Sequence, residues 1–338
     1  DPRPSRTRRR KTRTKHDLKA ARPLQAESLR DKPSDESLAE TVAGVAYASL
    51  PFCRKRGSAR LAPFIATCPG SLVLRVGIAL LLITFTAGCA SVRAVPTLPE
   101  ELSVARDQLI VYSDFKLASR HRLVEELVAL RGDISEQLDV PVSDEPIHIY
   151  LFSKSESYQE YIANHFPGLP NRRAFFVESD TRLTVYAQWG DRVAEDLRHE
   201  VTHGYLHSVI PNTPLWLDEG IAEYFETPRG WNGLHAAHLK LLDSQASKGD
   251  WKPDLSRLDK LVTIDQMTQR EYAESWLWVH FLLQTTRERR LLLQRHLHVL
   301  HEKAQAPPFS QAIFNAEPDA AYDVLDHLRM LAAENRVE

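Results

Sequence analysis

The sequence predicts an α+β protein, a small sheet followed by a mostly helical C-terminal half. Three observations predict it. Short β-branched and alternating stretches lie between residues 108 and 188. Helical apolar spacing separates them and then runs almost unbroken beyond Gly190. The order is thus strand, helix, strand, helix, hairpin and then helices, a segregated pattern rather than a strictly alternating one.

Each element has its own signal. "QLIVYSDF" (Gln108–Phe115) is β-branched and aromatic and reads as a strand. "SRHRLVEELVALRGDISEQL" (Ser119–Leu138) has apolar residues at helical spacing behind a Ser cap. "PIHIYLF" (Pro146–Phe152) alternates as a strand, and "SESYQEYIANHF" (Ser155–Phe166) follows as a helix. "RAFFVE" and "RLTVYAQ", split by "SDT", form a hairpin over Arg173–Gln188. In "WGDRVAEDLRHEVTHGYLHSVIP" Asp191 is placed to cap a helix and Pro211 to stop it. "TPLWLDEGIAEYFE" (Thr213–Glu226) starts the next helix with Pro214. The connection is short, so the two helices are expected side by side and antiparallel.

The chain has 338 residues and a net charge of −2, unevenly spread. Residues 1–71 carry 16 Lys and Arg against 7 Asp and Glu, which leaves the chain beyond Arg75 at −12. An acidic body excludes nucleic acid as the expected partner, because phosphate binding needs a basic surface. Between Arg75 and Arg93 no charge interrupts "LRVGIALLLITFTAGCAS", shorter than a membrane span of about 20 residues. A short apolar run after a positive charge, ending in small residues, reads as a secretory signal. Its end, "TAGC", resembles the bacterial lipobox, although Thr86 stands where that motif usually has Leu. The resemblance implies lipidation at Cys89 and export to the bacterial cell envelope, anchored to a membrane on its periplasmic side. Residues 72–88 are then a lipoprotein signal peptide, 89–101 a tether and 102–338 the folded body. Residues 1–71 are expected to be a disordered or non-native leader; with methionines only at 267 and 330, translation is expected to begin near Leu72. Of Cys53, Cys68 and Cys89, maturation at Cys89 leaves no pair for a disulfide.

The chemistry concentrates in "DLRHEVTHGYLHSV", Asp196–Val209. His199 and His203 lie one turn apart on one helix face, where two imidazoles chelate one zinc ion. Glu200, rotated about 100° from His199, stands beside the metal as a general base must. His207 lies another turn on, but ligands at i, i+4 and i+8 span about 12 Å along a straight helix, too far for one ion. The pattern HExxHxxGxxH also fails, since Leu206 and Val209 occupy its last two positions. His207 is therefore expected to be a packed or exposed helix residue. A third ligand is required, and a carboxylate on the following helix, where Glu219 and Glu223 share a face, can supply it.

HEVTH followed by WLDEGIAEYFE resembles the gluzincin metallopeptidases, in particular the bacterial peptidase MA-like group. The resemblance covers roughly Leu102–Ala333 and is specific at the two metal helices. It implies a zincin-like fold, Zn2+ on His199, His203 and Glu219, Glu200 as base, and a peptide or protein substrate. It also implies that Glu223 accepts a hydrogen bond from His199, and that Tyr272 in "REYAESWLWVHFLL" donates one to an oxyanion. The chain lacks the Gly-x-Met-x-Asn segment by which zinc aminopeptidases bind a free amine, which weakens an exopeptidase reading. The alternative is a catalytically silent zinc-binding lipoprotein serving as a scaffold.

Overall fold

The structure, a computed structural model, describes residues 97–169 and 172–335. The leader, the signal segment and Cys89 lie outside the described residues. No helix among the described residues is long and apolar enough to cross a membrane.

Five strands form one sheet: β1 (Leu102–Arg106), β2 (Leu109–Ser113), β3 (Ile147–Phe152), β4 (Ala174–Ser179) and β5 (Arg182–Gln188), in the order β1-β2-β3-β5-β4. β1 and β2 pair antiparallel, β2–β3 and β3–β5 parallel, and β4 returns antiparallel to β5 as an edge. The strand β1 was not expected. It is an edge strand with exposed positions, reached by a tight turn in which Asp107 takes a left-handed φ of 53°, a conformation Asp tolerates. The end of the expected tether also packs, with Leu98 against the aromatic face of the sheet.

Alternation along the strands divides two faces. Leu109, Val111, Ile147, Ile149, Leu183 and Val185 join the main core, under α1 (Arg122–Leu138) and α3 (Val193–His207). Tyr150, Phe152, Phe175 and Tyr186 point the other way, against α2 (Ser155–His165). Tyr112, Tyr150 and Tyr186 stack across the strands, with centroids 4.9 and 5.6 Å apart. Such cross-strand aromatic pairs favour one register over a slipped one.

The helical half comprises α4 (Leu215–Phe225), α5 (Ala236–Lys248), α6 (Leu255–Leu258), α7 (Gln269–Gln284), α8 (Arg287–Lys303), α9 (Phe309–Ala316) and α10 (Ala320–Glu334). The two caps expected from sequence fall elsewhere. α1 is capped by His121, whose Nδ1 accepts from Leu123 N at 3.3 Å, not by Ser119. α3 has no side-chain cap, and the Val193 N–H instead bonds the Gly190 carbonyl at 3.1 Å, so Asp191 is not needed. α4 is central, with every one of its residues buried. Its approach to α7 is so close that a Cβ on Gly220 would lie 2.6 Å from the Ser275 carbonyl oxygen. Burying each large apolar side chain contributes about 1.5–3 kcal/mol. A lone buried carboxylate costs several kcal/mol. Since Asp218, Glu219 and Glu223 are buried on α4 as well, they need partners.

Candidate metal centre

α3 and α4 pack antiparallel: His203 faces Asp218 near the start of α4, and His199 faces Glu226 just past its end. Three side-chain atoms converge between them. The Nε2 atoms of His199 and His203 are 3.2 Å apart, and Glu219 Oε2 lies 3.6 Å from the first and 3.8 Å from the second. The centre of that triangle is about 2.1 Å from all three atoms, the length of a nitrogen or oxygen bond to a first-row divalent metal.

Three further groups also bring imidazoles and carboxylates together: His203, His207 and Asp218; Glu223, His235 and His238; and His199, Glu223 and Glu226. In each, the closest approaches join an imidazole nitrogen to a carboxylate oxygen at 2.8–3.1 Å. Those are charge-assisted hydrogen-bond lengths. In the triangle the closest pair is two nitrogens, and Glu219 Oε2 stands 3.6 and 3.8 Å from them. The triangle thus has the spacing of a metal site, and the other groups have the spacing of its hydrogen-bonded surroundings.

Those surroundings correct one expectation and complete another. His199 Nδ1 bonds Glu226 Oε2 at 2.9 Å, so Glu226 takes the part expected of Glu223. Glu223 turns instead to His238 Nε2 at 2.8 Å. The spacing 219, 223, 226 follows one helix face, so helical periodicity offered Glu226 as well as Glu223; the pattern could not rank them. His207 is no idle helix residue. Its Nε2 lies 3.1 Å from Asp218 Oδ2 and its Nδ1 2.7 Å from Glu178 Oε2 on β4, while Asp218 Oδ1 lies 3.1 Å from His203 Nδ1. Sequence reasoning missed Asp218, Glu226, His235, His238 and Glu178.

The protonation states follow from these contacts. Burial works against charge on Asp218, but His203 and His207 outweigh it and hold the carboxyl well below its usual range. Burial likewise opposes ionisation of Glu226, and hydrogen bonds from His199 and His235 overcome it. Glu223 goes the other way: burial and the Glu226 charge raise it well above the carboxylate range. At His199 burial lowers the pKa, but Glu219 and Glu226 outweigh it and raise it. Burial lowers His203, which keeps that imidazole neutral, as a metal ligand must be.

Glu200 is fully buried, and neither carboxylate oxygen has a hydrogen-bond partner among the described residues. Burial pushes its pKa up to about 8; His199 opposes the rise and Glu219 adds to it. A buried carboxyl without a hydrogen-bond partner among the described residues, beside the triangle, is open to a group that enters the site. Tyr272, on α7, is buried within reach of the charges of Glu219 and Glu223. Burial and the Glu219 charge raise its hydroxyl above the usual tyrosine range, with Arg172 opposing.

Residues 194–309 match a family described as "Protein of unknown function (DUF1570)". The matched span, about a third of the chain, holds both metal helices, Glu226, His235, His238 and Tyr272. A search among curated proteins found no match.

Proposed function

We propose that this chain is a zinc-dependent hydrolase acting on peptides. The observation that carries the reading is the His199, His203 and Glu219 triangle with the partnerless Glu200 carboxylate next to it. Two imidazoles and one carboxylate suit zinc, and three protein ligands leave one position open. In such a site zinc supplies Lewis acidity, making water acidic near neutral pH and polarising a carbonyl. Glu200 takes the proton from the attacking water and passes it to the leaving amine. In this reading Tyr272 donates a hydrogen bond to the oxygen where negative charge develops. The strand β4, at the edge of the sheet among the described residues, is one along which an extended peptide can align.

The test uses the purified protein, its metal content and a random peptide library. The wild type should hold one zinc and cleave. Glu200→Gln should keep the zinc and lose about 10²–10⁴-fold in rate. A Glu200→Gln variant with wild-type activity would sink the mechanism. Bound zinc without cleavage of any peptide would point to the scaffold alternative.

The same reading places the body in the cell envelope through a lipid on Cys89, from the "TAGC" sequence. Mass spectrometry of the native N-terminus checks it: a diacylated Cys89 supports the anchor, and peptides from residues 1–60 overturn it.

A further inference from the structure

We propose that His235 is a positioning residue for the metal centre: it locks Glu226 and, through it, the tautomer and orientation of His199. This rests on reading His199, His203 and Glu219 as a metal site.

Protons are ordered along one chain of atoms. His235 is the N-cap of α5, and its Nδ1 accepts the backbone N–H of His238 at 3.2 Å. A neutral imidazole that accepts at one nitrogen carries its proton on the other. His235 Nε2 therefore donates, and Glu226 Oε1 lies 2.7 Å away. The other oxygen of Glu226 is left to accept from His199 Nδ1 at 2.9 Å. With its proton on Nδ1, His199 presents a bare Nε2 to the triangle. One backbone N–H, whose direction is set by helix α5, thus fixes which nitrogen of a residue three links away can bind metal.

The same bookkeeping excludes the rival role for His235, that of a ligand to a second ion with Glu223 and His238. With Nδ1 accepting and Nε2 donating, the ring has no lone pair to give. Its plane is held as well, stacked on His238 with centroids 3.8 Å apart. The loop from Thr227 to Leu234 returns His235 over Glu226. It turns through Gly233, where φ is 75° and a Cβ would collide with Tyr224 at 2.0 Å, and Trp276 Nε1 pins the Gly233 carbonyl at 2.7 Å. The side chain of His235 remains 18% exposed, against 8% for Glu226 and none for His199. The arm therefore runs from the surface to the metal, and its outer end can be altered without opening the core.

The test measures zinc affinity by chelator competition, together with melting of the metal-free protein, for His235→Ala and His235→Gln. His235→Ala should weaken zinc binding by about 10–100-fold with metal-free melting close to wild type. His235→Gln, whose amide can still donate to Glu226, should recover most of that loss. Unchanged affinity in His235→Ala overturns the proposal. So does a glutamine variant as weak as the alanine one, since packing rather than donation would then be at work. If His235→Ala does not fold, His235→Gln against His235→Leu makes the same comparison of donor with no donor. A wild type that binds no zinc overturns the metal reading itself, a result distinct from zinc bound equally by every variant.

Discussion

His199 and His203 are backed by arms of the same plan, a carboxylate and then a second imidazole, yet the arms end differently. The His199 arm runs through Glu226 to His235, whose far nitrogen meets a backbone N–H. The His203 arm runs through Asp218 to His207, whose far nitrogen meets another carboxylate, Glu178. An imidazole between a carboxylate and an N–H donor is neutral. An imidazole between two carboxylates donates from both nitrogens and is a cation. Burial resists that charge on His207, but Asp218 and Glu178 carry its pKa up to about 10. One arm thus ends near the surface in a ring that accepts a backbone N–H, the other in a buried cation that compensates acidic charge. Carboxylate–imidazole support of a metal ligand is one device, and here the fold uses it once for orientation and once also for charge balance.

The largest expected effect breaks the comparison at its charged end. His207→Ala removes the cation from between two carboxylates, one of them fully buried. It should cost about 3–5 kcal/mol of folding stability, read by denaturant unfolding of the metal-free protein. A loss of less than about 1 kcal/mol, the range of exposed pairs, would mean that His207 balances no buried charge. His235→Ala, by contrast, should act mainly on zinc affinity.

A smaller effect should strike both arms together. Asp218 and Glu219 lie on α4 and Glu226 caps its end, so moving this helix moves one side of the whole site. Gly220→Ala forces α4 away from the Ser275 carbonyl, at roughly 1–3 kcal/mol. Zinc affinity should fall with stability, and a variant that lost stability alone would show that the site tolerates displacement of α4.

A purely pH-dependent effect comes from a histidine pair that lacks carboxylates. His280 Nδ1 and His327 Nε2 lie 2.9 Å apart, joining α7 to α10. Burial and the neighbouring His327 pull His280 down to about 3, and burial with Arg289 pulls His327 down to about 4. Both folded values lie below the ordinary 6.5, so the unfolded chain takes up protons first. Stability is then kept above about pH 6.5 and lost as pH falls from there toward 4, by up to about 1.4 kcal/mol per pH unit for each imidazole. Urea unfolding at pH 7 and pH 5 should show a smaller acid loss in His327→Gln than in the wild type. Equal losses would remove this pair as a source of acid sensitivity.

Much of the site was legible in the sequence because it depends on local geometry. Residues four apart on a helix share a face wherever that helix goes, which put His199 with His203 and set Glu200 beside them. Strand alternation and helical spacing similarly foretold β2–β5 and the helical C-terminal half, while the short edge strand β1 left too weak a pattern to see. The short connection between α3 and α4 made them antiparallel neighbours, and that brought Glu219 within reach.

Contacts between elements were not legible, because they depend on where helices cross and how loops return. The resemblance implied Glu223 under His199; the crossing of α3 and α4, and the loop that brings His235 back, put Glu226 there instead. Nothing local to His207 announced Glu178, which arrives from a strand 29 residues earlier in the chain. The sequence by itself determined that His199 and His203 share a face with Glu200 beside them and that Glu219 and Glu223 lie within reach on the next helix, since these follow from one helical repeat and one tight connection, while the choice of Glu219 came from the resemblance. Only the tertiary structure decided which partners hold those residues and which of the partners is charged, because a buried group's protonation is set by whatever the rest of the fold places against it.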